Sequence, residues 1–422
     1  MAPDRGLYFP ETISPLPDSF FQNIETLSNE EIAFETIKQF VGDEIPETEL
    51  KKIITETLCF DFPCIPVEDN VFSLELFHGP TMAFKDVGAR FMSRCLGYFN
   101  RNTDKKVTVL VATSGDTGGA VASGFLGVKG VEVVILYPSG KVSDIQERQL
   151  TTLGQNIKAL EVDGVFDDCQ DMVKKAFLDE SLKHHNLTSA NSINIARWLP
   201  QMFYFFFAYK ALKSQNKPLV FSCPSGNFGN ICAGIIAKKM GLPVQHFVAS
   251  TNVNDTVPRY LVNGVYDPKP SIATISNAMD VGNPSNFIRI MEIMQNNFNQ
   301  LKNALSSYSY DDITTQATIT RVYNDYGYTL DPHGAVAFLA AEEFIHYHKH
   351  AITHYNHTDE AVPVHAVILE TAHPVKFPEV VEEAIGQKLA IPASVQYLLD
   401  KPKQSIPLAA TYTAFKQWML RK

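Results

Sequence analysis

Long apolar runs rich in β-branched residues alternate along this chain with segments of helical character. Such runs occupy residues 107–113 (VTVLVAT), 131–138 (VEVVILYP), 218–225 (PLVFSCPS) and 362–371 (VPVHAVILET). A strand that is apolar on both faces belongs to a sheet that is covered on both sides, which is typical of parallel sheets flanked by helices. The pattern therefore predicts an α/β fold with parallel sheets.

The alternating pattern occurs in two stretches of the chain and is absent from the first seventy or so residues, which we expect to be mainly helical. We predict a helical N-terminal segment (1–72), a first α/β domain (73–215) and a second α/β domain (216–422). A length of 422 residues is compatible with two or three domains.

Composition and charge limit the partners of the chain. A net charge of −10 argues against a general nucleic-acid surface, although a local cluster of cations and N–H groups can still bind an anion. The most apolar stretch, residues 198–209, contains Pro200 and is too short to cross a bilayer, so we expect a buried helix. The early charges and prolines do not resemble a signal peptide, and six cysteines without a CxxC pair suggest reduced core thiols in a cytoplasmic protein.

Lys85 is predicted to lie on a helix that begins near Thr81, at the border of an apolar stripe. The stripe consists of Phe84, Val87, Phe91 and Cys95. No carboxylate stands three, four or seven positions after Lys85, where the residues are Gly88, Ala89 and Met92. Asp86 is aligned instead with Arg90 and Arg94, and we expect these three to form a solvated ladder.

Two interpretations of Lys85 follow from this position. Contact with apolar surface disfavours the charged amine and leaves a nucleophilic neutral form. Alternatively, the stem of the side chain packs while its head reaches water. Helix geometry alone leaves both interpretations open.

Three polar loops directly follow apolar strands, at residues 112–119 (ATSGDTGG), 223–230 (CPSGNFGN) and 370–377 (ETAHPVKF). Ligands bind at the carboxyl ends of parallel strands, where helix N-termini offer N–H groups to anions. Each loop could equally be only a turn with a helix cap. The loop at 223–230 is the strongest candidate for a phosphate, because Gly226 and Gly229 let its backbone curl around one; it lacks the Lys-Ser/Thr ending of a nucleotide-binding loop.

Two other motifs are expected to be without function. The sequence GDTGG (115–119) is close to the nucleophile loop of chymotrypsin-like proteases, but those are β-barrels and this loop joins a strand to a helix. Histidines at helical spacing also suggest a metal site, but nothing acidic or cysteine-bearing completes it, so we predict no metal: they are His346, His350, His354 and His357.

A nucleophilic lysine combined with a phosphate loop and no nucleotide motif indicates pyridoxal 5′-phosphate as the cofactor. In this interpretation Lys85 holds the cofactor covalently, and residues 225–230 hold its phosphate group.

Several motifs in order along the chain resemble those of the threonine synthase family, in its bacterial and fungal branch. They are ELFHGPTMAFKD (75–86), ATSGDTGG (112–119), TSANSINIARW (188–198), PSGNFGN (224–230), ASTNVNDTVPRYL (249–261), SNAMDVGNPSN (276–286) and ETAHPVKFP (370–378). The resemblance runs from about Gly6 to near the C-terminus. Because the GLYFP element lies close to Met1, part of the family's leading segment is expected to be absent.

The resemblance implies a fold type II pyridoxal-phosphate enzyme, similar to tryptophan synthase β, with two parallel-sheet α/β domains and the active site between them. It implies conversion of O-phospho-L-homoserine and water to L-threonine and phosphate, by γ-elimination and β-addition of water, as the last step of threonine biosynthesis. The expected partner is this small-molecule substrate, without nucleic acid or membrane, and the expected state is a monomer or homodimer.

The resemblance also assigns roles to individual residues. Lys85 would hold the cofactor and then act as the base, and Thr371 would contact the pyridine nitrogen. The cofactor phosphate would be held by Ser225, Gly226, Asn227, Phe228, Gly229 and Asn230.

The substrate carboxylate would be bound by Thr113, Ser114, Gly115, Asp116 and Thr117. Relatives of this fold type often carry Asn at the position of Asp116, and an ionised Asp cannot donate the hydrogen bond of that amide to the cofactor's O3′. Asp116 would therefore either point elsewhere or share a proton with O3′.

The substrate phosphate would be bound by Asn191, Ser192, Asn194 and Arg197. Lys141, Lys376 and His78 are weaker candidates; the alternative is surface charge for the two lysines and a turn position for His78. The alternatives for the whole chain are another fold type II lyase, such as a threonine/serine dehydratase or a tryptophan synthase β-like enzyme, a catalytically silent sensor of a phosphorylated metabolite, and a hydrolase using Thr117.

Overall fold

The computed structural model describes residues 6–103, 105–348 and 363–421. In chain order, its strands are β1 Cys64–Glu68, β2 Val71–Glu75, β3 Val107–Ala112, β4 Val131–Pro138, β5 Ile157–Asp163, β6 Leu187–Ser189, β7 Leu219–Pro224, β8 Val244–Thr251, β9 Leu305–Ser309, β10 His365–Glu370 and β11 Ser405–Ala409. The first helices are α1 Asp18–Asn23, α2 Asn29–Val41, α3 Glu47–Thr57, α4 Lys85–Asn100, α5 Asp116–Phe125, α6 Asp144–Thr151, α7 Phe166–Leu178, α8 Ile195–Trp198 and α9 Phe203–Leu212. They are followed by α10 Gly229–Lys239, α11 Thr256–Asn263, α12 Phe287–Ile293, α13 Phe298–Ala304, α14 Asp312–Tyr326, α15 Pro332–His348, α16 Pro378–Ile385, α17 Ala393–Leu399 and α18 Tyr412–Leu420.

The chain divides into two compact units, each assembled from separate stretches. Unit 1 comprises Met1–Tyr8, Gly79–Arg197 and Ala390–Lys422, and unit 2 comprises Phe9–His78 and Trp198–Leu389. The boundaries proposed after residues 72 and 215 divide the chain by sequence pattern and stay a prediction.

Unit 1 is built on a parallel sheet with the strand order β11-β5-β4-β3-β6 among the described residues. Alternate residues of its strands enter different cores, because successive side chains of a strand point to opposite faces. Val109 and Ile135 pack with α5 residues on one face, and Leu110 and Leu136 pack with α7 and α18 on the other. Burial on both faces is the reason why these strands read as continuous apolar runs.

Unit 2 contains a sheet with the strand order β1-β2-β10-β7-β8-β9 within the part of the chain that the structure describes. All of its pairings are parallel except that of β1 with β2, which is antiparallel. The mainly helical N-terminal segment supplies α1 to α3 to this unit, and α2 begins with a capping box between Ser28 and Glu31. In a capping box the two side chains satisfy two N–H groups that the helix itself leaves without acceptors.

These features confirm the predicted α/β class with parallel sheets. Residues 198–208 of the apolar stretch are buried as expected, in a 3₁₀ turn Leu199–Met202 followed by α9, and Tyr209 is half-buried. Among the described residues no helix is both long enough and apolar enough to cross a membrane. The six cysteines are free thiols, but Cys59 is exposed, so the expectation that all six lie in the core is wrong.

Candidate active site

The predicted loops lie where strands end and helices begin, as the sequence indicated. In unit 1, residues 113–115 join β3 to α5; in unit 2, residues 225–228 join β7 to α10, and Thr371 directly follows β10. The candidate residues therefore fall into two groups, one in each unit.

The loop after β3 is organised around the Thr113 hydroxyl group. Thr113 Oγ1 accepts the N–H groups of Gly115 (3.0 Å) and Gly118 (2.8 Å), and it donates to the carbonyl oxygen of Gly115 (3.1 Å). Gly115 has φ +138°, and a Cβ atom there would also lie 2.5 Å from Gln146 Cδ. A side chain at this position would be strained, so the loop requires glycine here.

Asp116 is the first residue of α5, and only 5% of it is exposed. Its Oδ1 accepts a hydrogen bond from Gln146 Nε2 at 2.9 Å, and Gln146 also closes the capping box of α6 with Ser143. The structure thus gives Asp116 a protein donor within unit 1.

Lys85 is the first residue of α4, so the prediction that the helix begins near Thr81 is wrong by four residues. The segment before it is an irregular turn in which Met82 has φ +56°. Lys85 is partly buried, with its Nζ atom 5.5 Å from the centre of the Phe84 ring. Lys85 therefore stands where this turn meets the first turn of α4.

Asp86 is buried, with 1% exposed, so the expected solvated ladder with Arg90 and Arg94 is wrong. Its Oδ2 accepts the N–H group of Thr81 (2.9 Å) and its Oδ1 accepts the Thr81 hydroxyl (2.7 Å). Arg94 donates to the carbonyl oxygen of Gly124 in α5 at 2.9 Å. Asp86 therefore holds the turn that leads to Lys85, and Arg94 ties α4 to α5.

Arg197 is buried beside the start of α4, with 3% exposed and its Nη1 3.5 Å from the Lys85 carbonyl oxygen. Burial lowers the pKa of Arg197 to about 10, against the opposing effect of the Asp86 charge. The backbone packs equally closely, because a Cβ atom at Gly88 would lie 1.9 Å from the Arg197 carbonyl oxygen. The structure thus brings Arg197 next to Lys85.

Replacing Gly88 with alanine should destabilise unit 1, because the added methyl group overlaps the backbone of Arg197. We expect a loss of about 1–3 kcal/mol in the free energy of unfolding, the usual cost of overpacking. Gly97 on the same helix is the control, since its Cβ atom would meet only Val128 Cγ1 at 3.4 Å. Urea unfolding of both variants measures the difference, and equal stabilities would contradict the close contact.

The other residues proposed for the substrate phosphate lie in the loop between β6 and α8. Asn191 Nδ2 donates to the carbonyl oxygen of Ala112 at the end of β3 (3.0 Å). Asn194 Nδ2 donates to the Ser189 carbonyl oxygen (3.0 Å), and its Oδ1 accepts the N–H group of Ala196 (3.1 Å). These two side chains fix the loop to the sheet, and the half-buried Ser192 lies between them in sequence.

In unit 2, the loop after β7 has the features of a phosphate site. The Ser225 N–H group donates to the Ser250 carbonyl oxygen (2.8 Å), and Asn230 Nδ2 donates to the Pro224 carbonyl oxygen (2.9 Å). Phe228 adopts φ +60° directly before Gly229 opens α10. The first N–H groups of a helix have no acceptor inside it and can bind an anion.

Gly226 and Asn227 connect this loop to residues 276–286. A Cβ atom at Gly226 would lie 2.7 Å from the Ala278 carbonyl oxygen and 2.8 Å from Met279 Cα, so the loop tolerates no side chain there. The side-chain oxygen of Asn227 accepts the N–H group of Ser285. The backbone carbonyl oxygen of Asn227 accepts a hydrogen bond from Asn286 Nδ2 at 3.0 Å. A turn formed by backbone and glycine at a helix start fits the phosphate of pyridoxal phosphate.

Thr371 is buried, with 4% exposed, and follows Glu370, which is fully buried. Burial, reinforced by the charge of Asp331, raises the pKa of Glu370 well above its usual range. Glu370 Oε1 accepts the Asp331 N–H group (2.7 Å), and Oε2 has no hydrogen-bond partner among the described residues. Burial thus favours the neutral acid form of the residue next to Thr371.

Replacing Glu370 with glutamine should raise the free energy of unfolding relative to the wild type. The difference between the two proteins should grow as the pH rises above about 4.5, the ordinary pKa of the acid. A raised pKa in the folded state means that the folded protein binds the extra proton, so the wild type loses stability as pH rises towards that pKa. Glutamine carries no such penalty. Urea unfolding at pH 5 and pH 8 tests this, with the exposed Glu180 as the control position; a pH-independent difference would contradict it.

The weaker phosphate candidates lie in different surroundings. Lys376 is fully buried, so the alternative that it is ordinary surface charge is wrong, whereas Lys141 is exposed. His78 Nε2 lies 2.7 Å from Glu75 Oε2. Burial lowers the pKa of the nearby His373 to about 4, so its ring is neutral at pH 7.

The structure also bears on the two motifs expected to be without function. GDTGG lies at the end of a strand in a parallel sheet, which is not the β-barrel context of serine proteases. Of the histidines at helical spacing, His346 belongs to α15, and His350, His354 and His357 lie outside the described residues.

Sequence reasoning missed the buried pair Asp331 and His333 at the start of α15. The Asp-Pro-His-Gly sequence at 331–334 was the available signal, because Asp is a common cap before a helix that begins with Pro. The burial of a histidine two residues after such a cap depends on what packs against the start of the helix, and helix periodicity does not reveal it.

The chain matches known proteins over its whole length. Residues 54–351 match the family described as pyridoxal-phosphate dependent enzyme, and residues 1–58 and 349–419 match the threonine synthase N-terminal and C-terminal families. Threonine synthase of Escherichia coli is 44% identical, over 99% of this chain and 94% of the relative.

Solved structures of threonine synthases superpose closely on this chain. The PLP-bound threonine synthase of Brucella melitensis superposes with a TM-score of 0.89 at 32% identity, covering 99% of this chain and 94% of that one. The yeast threonine synthase gives a TM-score of 0.88 at 33% identity, covering 100% of this chain and 94% of that one.

Proposed function

The chain belongs to the threonine synthase family of fold type II pyridoxal-phosphate-dependent lyases, and on that premise we propose that it converts O-phospho-L-homoserine and water to L-threonine and phosphate. The observation that carries the proposal is the arrangement around Lys85. Lys85 is the first residue of α4, and Nη1 of Arg197 lies 3.5 Å from the backbone carbonyl oxygen of Lys85.

Bound pyridoxal phosphate would supply the electron sink that makes the α- and β-protons of an amino acid removable. Lys85 would hold the cofactor through Nζ and, once substrate has displaced it, accept and return those protons. Residues 225–230 would hold the cofactor phosphate, and Thr371 would offer a hydroxyl group to the pyridine nitrogen.

The loop after β3 would bind the substrate carboxylate. Within it, the N–H groups of Gly115, Gly118 and Gly119 already donate to loop oxygen atoms. The N–H and hydroxyl groups of Ser114 and Thr117 are therefore our choice of donors to the carboxylate. Asp116, bound by Gln146, would act there as an acceptor rather than as a donor.

Arg197 would provide positive charge for the substrate phosphate, with the loop at 191–194 positioned by its two asparagines. Loss of phosphate from Cγ places further negative charge on the leaving group, which a nearby guanidinium group would stabilise. A dehydratase does not need such a cation, and this distinguishes the proposed reaction from that alternative.

Incubation of the purified protein with O-phospho-L-homoserine tests the proposal, with released phosphate and threonine measured together. Equal amounts of both are expected. Phosphate without threonine would indicate elimination to a keto acid, as in a dehydratase-like enzyme, and release of neither from a colourless protein would favour the sensor.

A further inference from the structure

A chain of buried ionisable residues in unit 2 has no part in the proposed reaction. Glu370 and Asp331 are fully buried, and His333 is 2% exposed. They lie at the end of β10 and the start of α15. Groups of this kind are rarely buried unless they are paired, so their arrangement has a structural or functional reason.

The contacts of these residues form a continuous series from Glu370 to Ala278. Glu370 Oε1 accepts the Asp331 N–H group, Asp331 Oδ1 accepts the Gly334 N–H group (2.7 Å), and Asp331 Oδ2 lies 2.5 Å from His333 Nδ1. His333 Nε2 accepts the N–H group of Ala278 at 3.2 Å. With one ring nitrogen accepting and the other beside a carboxylate, this hydrogen-bond pattern assigns His333 as the neutral Nδ1–H tautomer.

Ala278 belongs to the short turn Asn277–Met279, which lies on the candidate phosphate loop. Its N–H group binds His333, and its carbonyl oxygen is the atom that leaves no room for a side chain at Gly226. A single peptide segment thus connects the buried histidine to the backbone of the loop. Asn252 Nδ2 donates to the carbonyl and hydroxyl oxygen atoms of Ser276, the residue directly before this turn.

We propose that His333 is a positioning residue for cofactor binding: it holds the turn 277–279 against Gly226 and thereby sets the loop that receives the phosphate group. This inference rests on the proposed function, in which residues 225–230 bind the cofactor phosphate. Loss of the His333 acceptor takes away the partner of the part-buried Ala278 N–H group, which costs more than the hydrogen bond alone to the extent that water cannot reach that group. Movement of the turn then displaces the N–H groups of the loop, which must point at the phosphate.

The test compares pyridoxal phosphate with pyridoxal, which lacks the phosphate group. The full-length protein freed of cofactor is titrated with each compound, and binding is followed by visible absorbance. His333→Leu should weaken the binding of pyridoxal phosphate by on the order of tenfold. Its binding of pyridoxal should be unchanged, whereas a general defect in the fold would weaken both and would overturn the proposal.

Two further variants separate the contacts of His333 and decide the question if the leucine variant does not fold. Asparagine reaches only the position of Nδ1, so His333→Asn keeps the contact with Asp331 and should show the phosphate-specific loss. Glutamine places an acceptor near Nε2, so His333→Gln should bind pyridoxal phosphate almost as the wild type does. The reverse order would overturn the role of the Ala278 contact.

Gly226→Ala distinguishes failure of this inference from failure of the proposed site. If residues 225–230 bind the phosphate, this variant should lose affinity for pyridoxal phosphate and not for pyridoxal. A loss in Gly226→Ala with normal binding in the His333 variants would refute the positioning role alone. Normal binding in Gly226→Ala would refute the phosphate site itself. His246→Leu is the matched control, because His246 bonds to Ser306 in the same unit.

Discussion

Replacing Lys85 with alanine is expected to remove the visible absorption of the protein-bound cofactor and to lower turnover by at least about 10³-fold, since it removes both the covalent attachment and the proton-transferring base. Lys85→Arg should fail in the same way, because a guanidinium group keeps the charge but is neither nucleophilic nor readily deprotonated. Absorbance spectra and the rate of phosphate release from O-phospho-L-homoserine measure the two effects.

The control for this experiment is Lys129→Ala, at an exposed lysine in the turn between α5 and β4. It should absorb and turn over as the wild type does. A Lys85→Ala protein with an unaltered spectrum would show that another amine holds the cofactor, and the central assignment would then be wrong.

Replacing Arg197 with alanine is expected to have two consequences. The KM for O-phospho-L-homoserine should rise by about 30-fold or more, since truncating one partner of a buried charged contact costs about 2–5 kcal/mol. The free energy of unfolding should fall by about 3–5 kcal/mol, because the buried carboxylate of Asp86 loses the positive charge beside it.

Arg148→Ala separates these two consequences. Arg148 donates to the carbonyl oxygens of Leu398 and Leu399 in unit 1, so its loss should lower stability without changing KM. Steady-state kinetics and urea unfolding of both variants make the comparison. If Arg197→Ala lost stability and kept its KM, Arg197 would be a structural partner of Asp86 and the substrate phosphate would need another cation.

Predictions from the sequence were correct where neighbouring residues along the chain decide the local structure. The run at 131–138 became β4 with its predicted bounds, because a parallel strand buried on both faces must be continuously apolar. The helix that contains Lys85 was predicted to begin four residues too early, because the turn at 81–84 is held by tertiary contacts. Asp86 and Gln149 both bind Thr81 there, and helix periodicity cannot reveal either contact.

In the candidate site, too, local sequence patterns were predictable and tertiary contacts were not. Lys85, the loops after β3 and β7, and Thr371 could be located from the sequence, because each directly follows an apolar strand or belongs to a recognisable motif. The buried state of Asp86, the amide donor on Asp116 and the chain from Glu370 to Ala278 could not. Gln146 is 30 positions from Asp116 and Ala278 is 55 positions from His333, so only the packing of separate elements brings these residues into contact. The burial of Asp86 depends on that packing as well.

The sequence by itself determined the α/β class, because apolar periodicity is a property of short segments, and its ordered motifs indicated the family. The residues at which a phosphorylated cofactor would be bound stay a prediction. The tertiary structure decided which of those residues are buried, what each side chain binds and where Lys85 stands on its helix. The physical reason is that burial and hydrogen-bond partners are set by elements distant in the chain, so a buried carboxylate such as Asp86 and an exposed one are indistinguishable until the fold is formed.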